Sequence, residues 1–316
     1  MLEYEYVAGG CSLKYRMDPE GVCITGWQGR NWIAQVPDRI ENRPVTAIDR
    51  KAFLSRKNLR EIQLPVSLRG IGDWAFAYCD NLERITLPAG CIHIGKALFL
   101  DCGHLDCVAG IFHDGSAEGQ TREAWSPETG RLLAAGLIQM EAYYLLEPAA
   151  VGSPEWLKKW DARLEAVMGA EDQEGYSKQV LCGEEDYGST DLEAFLRTKR
   201  QKKVRLAMLR LLCGERLSGG LQAYLERYLK THTKGCRSEE SWQVVLEEGE
   251  THPEYVHLFL QLGCVTRENI EAMIGQMRED QPQLRAAFLR YRQERRPRSL
   301  AVKKVSGSDI FGAAFP

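Results

Sequence analysis

Apolar residues recur along the first third of the chain with a period of 23. Ile48, Ile71 and Ile94 keep that step, as do Phe53, Phe76 and Phe99, and Leu59, Leu82 and Leu105. Ile62, Ile85 and Val108 form a fourth column, and Leu64-Pro65 returns as Leu87-Pro88. Self-similarity at such an interval predicts a stacked solenoid, because one unit is too small to bury its apolar face and shares its neighbour's. Within a unit, Glu61-Ile62-Gln63-Leu64 alternates polar and apolar residues, which predicts a short strand with Ile62 and Leu64 inward. The proline that follows ends the strand, since it has no N–H for the ladder. Alignment on proline places Ala34-Gln35-Val36-Pro37 one unit earlier, at a step of 28 residues. The extra residues are expected to bulge around Asn42-Arg43-Pro44. Ahead of them, Tyr4 and Tyr6, then Val22 and Ile24, alternate around Gly9-Gly10 and Asp18-Pro19-Glu20-Gly21. They predict short strands that cap the first open edge of the array.

Beyond residue 110 the period is lost. His113-Asp114-Gly115 and Ser126-Pro127-Glu128-Thr129-Gly130 read as turns, so an irregular connector is expected over 111–150, with a helix over 132–146. Spacings of three and four then take over. Leu157, Trp160, Leu164 and Val167 form one helical face after Ser153-Pro154. Thr190-Asp191-Leu192-Glu193 reads as a capping box that opens a helix to about 213. Leu221, Tyr224, Leu225, Tyr228 and Leu229 mark the next helix. Thr251-His252-Pro253-Glu254 reads as a second box, with Gly263 closing that helix. Ile270, Met273, Ile274 and Met277, then Leu284, Phe288 and Tyr291, mark the last two. The predicted class is α+β in two domains. A repeat solenoid with an N-terminal β cap occupies 1–110, an all-α bundle or helical-repeat domain occupies 151–294, and a mobile tail follows over 295–316.

The repeat phrases also carry a family likeness. Ile71-Gly72-Asp73-Trp74-Ala75-Phe76-Ala77-Tyr78-Cys79-Asp80-Asn81-Leu82, Ile85-Thr86-Leu87-Pro88 and Arg43-Pro44-Val45-Thr46-Ala47-Ile48 resemble the BspA-like, Treponema-type leucine-rich repeat. The likeness covers about a third of the chain and weakens in the last unit, where Leu98-Phe99 and Ala109-Gly110 depart from it. It implies a protein-binding array, and in many such proteins cell-surface adhesion.

Composition changes this picture little. The chain has 316 residues, 44% hydrophobic and 27% charged, with a net charge of -3. That balance gives no overall attraction to nucleic acid or anionic membrane. No apolar run is long enough to span a bilayer. The start has neither a basic leader nor an apolar stretch, so no signal peptide and a cytoplasmic location are expected. Ten cysteines are scattered rather than clustered, and buried free thiols are the expectation. Cys102 and Cys107, with His113 near, miss the spacing of a zinc knuckle. His252 and His257 lie five apart, which puts them on different faces of a helix. Phosphate loops, nucleophile elbows and dinucleotide fingerprints are missing from the sequence. The expectation is a non-enzymatic protein without cofactor or metal.

Two surfaces remain as candidates for binding. The first is the outward strand face, with Gln35, Gln63 and Thr86 in one column and Glu61 and Arg84 in the next, suited to a protein partner. The second is the basic run of Arg197, Lys199, Arg200, Lys202, Lys203 and Arg205. It has phosphate-binding character if exposed, but no aromatic residue interleaves it. A charged helix face paired with Glu184, Glu185 and Asp186 is the favoured reading of that run, and nucleic acid is not the expected partner.

Overall fold

The computed structural model describes residues 2–115, 120–176 and 191–295. It divides into two compact units, residues 1–244 and 245–316. The boundaries read from sequence at 110 and 150 fall inside the first of them.

The first unit opens with β1 (Tyr4–Ala8), β2 (Cys11–Asp18) and β3 (Gly21–Gly29), an antiparallel meander. Its first turn, Gly9-Gly10, has positive φ at both residues, the geometry of a two-residue hairpin. The coils follow, each crossing two sheets. In the first sheet β3 is followed by β6 (Arg43–Ile48), β8 (Gly70–Ile71) and β10 (His93–Ile94), all parallel. The second sheet stacks β4 (Ile33–Gln35), β7 (Glu61–Gln63), β9 (Arg84–Pro88) and β11 (Cys107–His113), also parallel. The five extra residues of the first step form a hairpin rather than a loose bulge. In it β5 (Arg39–Ile40) pairs antiparallel with β6 across Glu41-Asn42, both at positive φ.

Stacking buries the periodic columns, apart from Ile94 in the last coil, which is half-buried. Ile62, Ile85 and Val108 are fully buried, as are Phe53 and Phe76, with Phe99 almost so. Trp27, Phe53, Phe76 and Phe99 form a ring ladder with centroids 6.4, 5.4 and 5.8 Å apart. Between the sheets each coil turns twice through left-handed residues that repeat with the period. Lys51, Trp74 and Ala97 hold one position, and Ser55, Tyr78 and Asp101 the other. The glycine of Ile71-Gly72 has a different cause, because a Cβ there would strike the backbone of Asp49 and Arg50 in the coil before. Gly95 has the same relation to Gly72 and Asp73. A second ladder runs along the outside. Asn58 Nδ2 donates to Asn31 O at 2.8 Å, Asn81 Nδ2 to Lys57 O at 2.6 Å, and His104 Nδ1 meets Asp80 O at 2.6 Å.

The far end of the array is closed by the segment expected as a connector. β12 (Thr121–Glu123) pairs antiparallel with β11, and Trp125 Nε1 donates to Val108 O at 2.9 Å. The helix expected over 132–146 is α1 (Pro127–Ile138) instead, with a short 3-10 turn at Tyr143–Leu145. Ser126, read as part of a turn, is its N-cap and accepts from Thr129 N, with Pro127 in the first turn. Glu141, at positive φ, ends the run before 146.

Three long helices complete the first unit: α2 (Pro154–Gly169), α3 (Leu192–Leu212) and α4 (Gly219–Thr231). On α2 the inward residues are Trp156, Leu157, Trp160, Leu164 and Met168, so Met168 takes the place expected for Val167. Asp191 caps α3, while Thr190 lies outside the described residues. Arg210 of α3 is fully buried and reaches Asp161 of α2 through Nε at 2.5 Å and Nη2 at 3.0 Å. Its remaining donors meet the carbonyls of Cys213 and Glu215. Next in the chain comes α5 (Glu240–Glu248).

The second unit holds α6 (Pro253–Gln261), α7 (Ile270–Gln276) and α8 (Pro282–Glu294). Its core is Phe259, Met273, Leu284 and Phe288. The second expected capping box does not form. His252 occupies the cap position, where its side chain makes no capping bond to the helix backbone, and Thr251 Oγ1 donates back to Glu248 O. Gly263 stands just past α6 at positive φ, as read. The tail beyond Arg295 lies outside the described residues.

Candidate functional site

The parallel register of the second sheet builds its outer face. Ile33, Glu61, Arg84 and Cys107 form one column by successive pairing. Gln35 lies opposite Gln63 and Thr86 opposite Ala109, and Thr86 Oγ1 accepts from Leu64 N at 2.7 Å. The two columns predicted from sequence are therefore brought side by side. Their side chains are not equally free. Gln63 Nε2 donates to Glu61 Oε1 at 2.8 Å, and Arg84 Nη1 points to Cys107 Sγ at 3.7 Å. Gln35 and Arg84 are exposed, while Glu61, Gln63 and Thr86 are half-buried. The face presents one carboxylate, one guanidinium and three neutral hydrogen-bonding groups; β7 and β9 are laddered on both sides and β4, which carries Gln35, on one.

The basic run has a different fate. Of its six cations only Arg197 is exposed. Arg200 Nε meets Asp172 at 2.7 Å and its Nη1 meets Glu240 at 3.5 Å. Lys203 is buried, with Nζ on Asp172 at 2.8 Å and Ala170 O at 2.7 Å. Burial opposes the charge on Asp172, but the hydrogen bonds and charges of Lys203 and Arg200 outweigh it and hold its pKa below 3.8. Lys202 is pulled below the ordinary lysine range by burial and by Lys199 and Arg163. Arg205 is half-buried and Lys199 lies over the Phe195 ring. The acids that answer this run are Asp172 and Glu240; Glu184, Glu185 and Asp186 lie outside the described residues. Two of the six cations, Arg200 and Lys203, thus form an ion-pair network with Asp172 and Glu240, while Lys199, Lys202 and Arg205 are half-buried.

Seven of the nine described thiols are buried. Desolvation lifts Cys79 to about 11 and Cys102 to about 12, and each donates to a carbonyl of the coil before, Phe53 or Phe76. A thiol at such values carries almost no thiolate at neutral pH. Cys236 is exposed and Cys11 half-buried among the nine described free cysteines. Among the described residues no group of three or more His, Cys, Asp or Glu is placed to hold a metal ion, and no helix is long and apolar enough to cross a membrane.

One feature escaped the sequence. A hollow of about 470 Å³ between α7 and α8 is lined by Val265, Ile270, Tyr291, Arg267, Arg292 and Arg295, among others. Arg292 is held by both oxygens of Glu271 at 3.0 Å, and Arg295 lies over the Tyr291 ring. Its residues come from two separate stretches of chain, around 265–271 and 291–295, that no sequence spacing links.

Comparison with known proteins places the repeats. The BspA type leucine rich repeat region, in six copies, matches residues 39–109. This stretch is a BspA-type repeat array, and helices follow it in the chain. Among solved structures, the T. pallidum leucine rich repeat protein is 34% identical over 30% of this chain and 45% of its own, with a TM-score of 0.29. A Bacteroides capillosus leucine-rich repeat protein is 27% identical over 32% of this chain and 78% of its own, with a TM-score of 0.29. A leucine rich cell surface protein of Faecalibacterium prausnitzii is 25% identical over 32% of this chain and 29% of its own, again at 0.29. The chain spans less than half the length of the T. pallidum protein. No curated protein matches it.

Proposed function

We propose that this protein is a non-enzymatic interaction module that binds a protein partner on the outer face of the second sheet. The observation that carries this reading is the ladder itself. Gln35, Glu61, Gln63, Arg84 and Thr86 stand on strands paired in register, so their positions are set before any partner arrives. A preformed face avoids most of the ordering cost that weakens flexible surfaces. The paired state of Arg200 and Lys203 favours a protein partner over nucleic acid, because those charges are already answered within the fold.

The test compares capture from the source cell by the parent and by the Glu61→Lys/Arg84→Glu double variant. At least one protein should fall about tenfold or more with the variant, as expected for reversed charges at an interface. Stability should stay within about 0.5 kcal/mol, the usual range for surface changes. Identical capture by both would remove this face from consideration.

A further inference from the structure

The free edge of β4 offers something distinct from the side-chain face. Trp32 O accepts from Arg60 N at 2.7 Å and Glu61 N at 3.1 Å, and Val36 N donates to Gln63 O at 2.9 Å. Ala34 lies opposite Ile62 between them. A parallel ladder bonds alternate residues to one neighbour, so Ile33 and Gln35 aim their N–H and C=O groups away from β7. Among the described residues no strand pairs with that side. The opposite end of the same sheet is closed, by β12, by Ala124 N on Gly110 O at 2.9 Å, and by the Trp125 indole.

The other strands that end these sheets do so under different conditions. β1 is mostly exposed with Glu5 on it, β10 is two residues long, and β12 is three exposed residues that include Arg122 and Glu123. The β4 edge instead lies in a groove of about 440 Å³ between it and the N-terminal hairpin. Asn31 Nδ2 fixes that hairpin by donating to Gly9 O at 2.6 Å. Tyr6, Leu13, Ile33 and Pro37 give the groove apolar walls, Asn31 and Gln35 add neutral polar groups, and no lining residue is charged.

We infer that the groove along β4 is a docking site for an extended, uncharged peptide segment of a partner protein, added to the second sheet as one more strand. The spacing of the free backbone groups selects an extended backbone, the one structure that meets alternate N–H and C=O together. The uncharged walls select its side chains, since a lysine or glutamate buried there would lose water without gaining a partner. Pro37 cannot donate, so the new ladder ends there and the recognised segment is short. This site goes beyond the face proposed above, and the two can fail separately: the face is read by Glu61 and Arg84, the edge by its backbone.

The test uses the full chain, 15N-labelled, and an array of acetylated, amidated hexapeptides built from Ser, Thr, Gln, Val and Ile. Members that bind should shift the Ile33 and Gln35 amide signals and slow their hydrogen exchange. Gln35→Pro removes one edge donor without touching the bonds to β7 and should weaken binding about tenfold, whereas Gln35→Ala keeps the donor and should bind within about twofold of the parent. The inference fails if no member binds at millimolar peptide, if binders leave those two amides unmoved, or if Gln35→Pro binds like the parent. Should Gln35→Pro not fold, amide protection in the parent decides alone. Protection that grows with protein concentration in the absence of peptide would make a second copy of this chain the occupant and overturn the peptide assignment.

Discussion

Single residues set the two most sensitive points of the array. Phe76 lies between Phe53 and Phe99 and is fully buried, so Phe76→Ala removes contacts on two sides at once. It should cost about 3–5 kcal/mol in denaturant unfolding, and a loss below about 1 kcal/mol would mean that the coils are not stacked through this ring. Gly95 carries a different demand, for space. Gly95→Ala drives a methyl into the backbone of Gly72 and Asp73, and should cost about 1–3 kcal/mol as an overpacked contact. The first effect was legible in the period of the sequence, because columns that recur every 23 residues mark positions with one environment. The close backbone approach at Gly72 and Gly95 was not, because a glycine reads first as a turn. The asparagine ladder was only partly legible. Asn58 and Asn81 keep the period, but His104 fills the third place, and a change of residue type hides a shared hydrogen bond. Outward residues were placed correctly by strand alternation, yet alternation could not show that Glu61 is engaged by Gln63.

Elements were readable where one force dominates and misread where two compete. Ser126-Pro127-Glu128 is a turn signal and a helix start at once. The apolar residues that follow, Leu132 and Leu133 among them, are buried, and tertiary packing resolved the choice in favour of α1. On α3 the run of cations suggested an outer face, but most of the helix after Lys203 is buried, and paired acids draw the charges inward. Breaking either pairing should be costly. Asp161→Ala would leave the fully buried Arg210 guanidinium with carbonyls alone, and a loss of about 3–5 kcal/mol is expected. For Asp172, the lowered pKa fixes the sign of a pH effect. A carboxylate whose folded pKa lies below its unfolded value contributes stability above the unfolded value, near 3.8. That contribution is lost as pH falls through the folded value. Unfolding midpoints of parent and Asp172→Asn should therefore differ at neutral pH and converge in the acid range below about pH 4. A gap that stays constant down to pH 2 would place the effect elsewhere.

At the scale of the molecule, the first hundred residues act as one object because each coil completes its neighbour, and its surface is only as fixed as that stack. The sequence made the stack visible, since burial repeats; it did not show where the stack stops being open, because caps are aperiodic. The closure by β12 and Trp125, and the unpaired edge of β4, depend on residues with no partner column. Rigidity of the coils is the premise of both binding proposals, and amide hydrogen exchange followed by mass spectrometry on the intact chain tests it most directly. Peptides covering β7, β8 and β9 should exchange together and slowly, through opening of the stack as a unit. Exchange of those strands at the rate of an unstructured peptide, or at independent rates from coil to coil, would contradict the account.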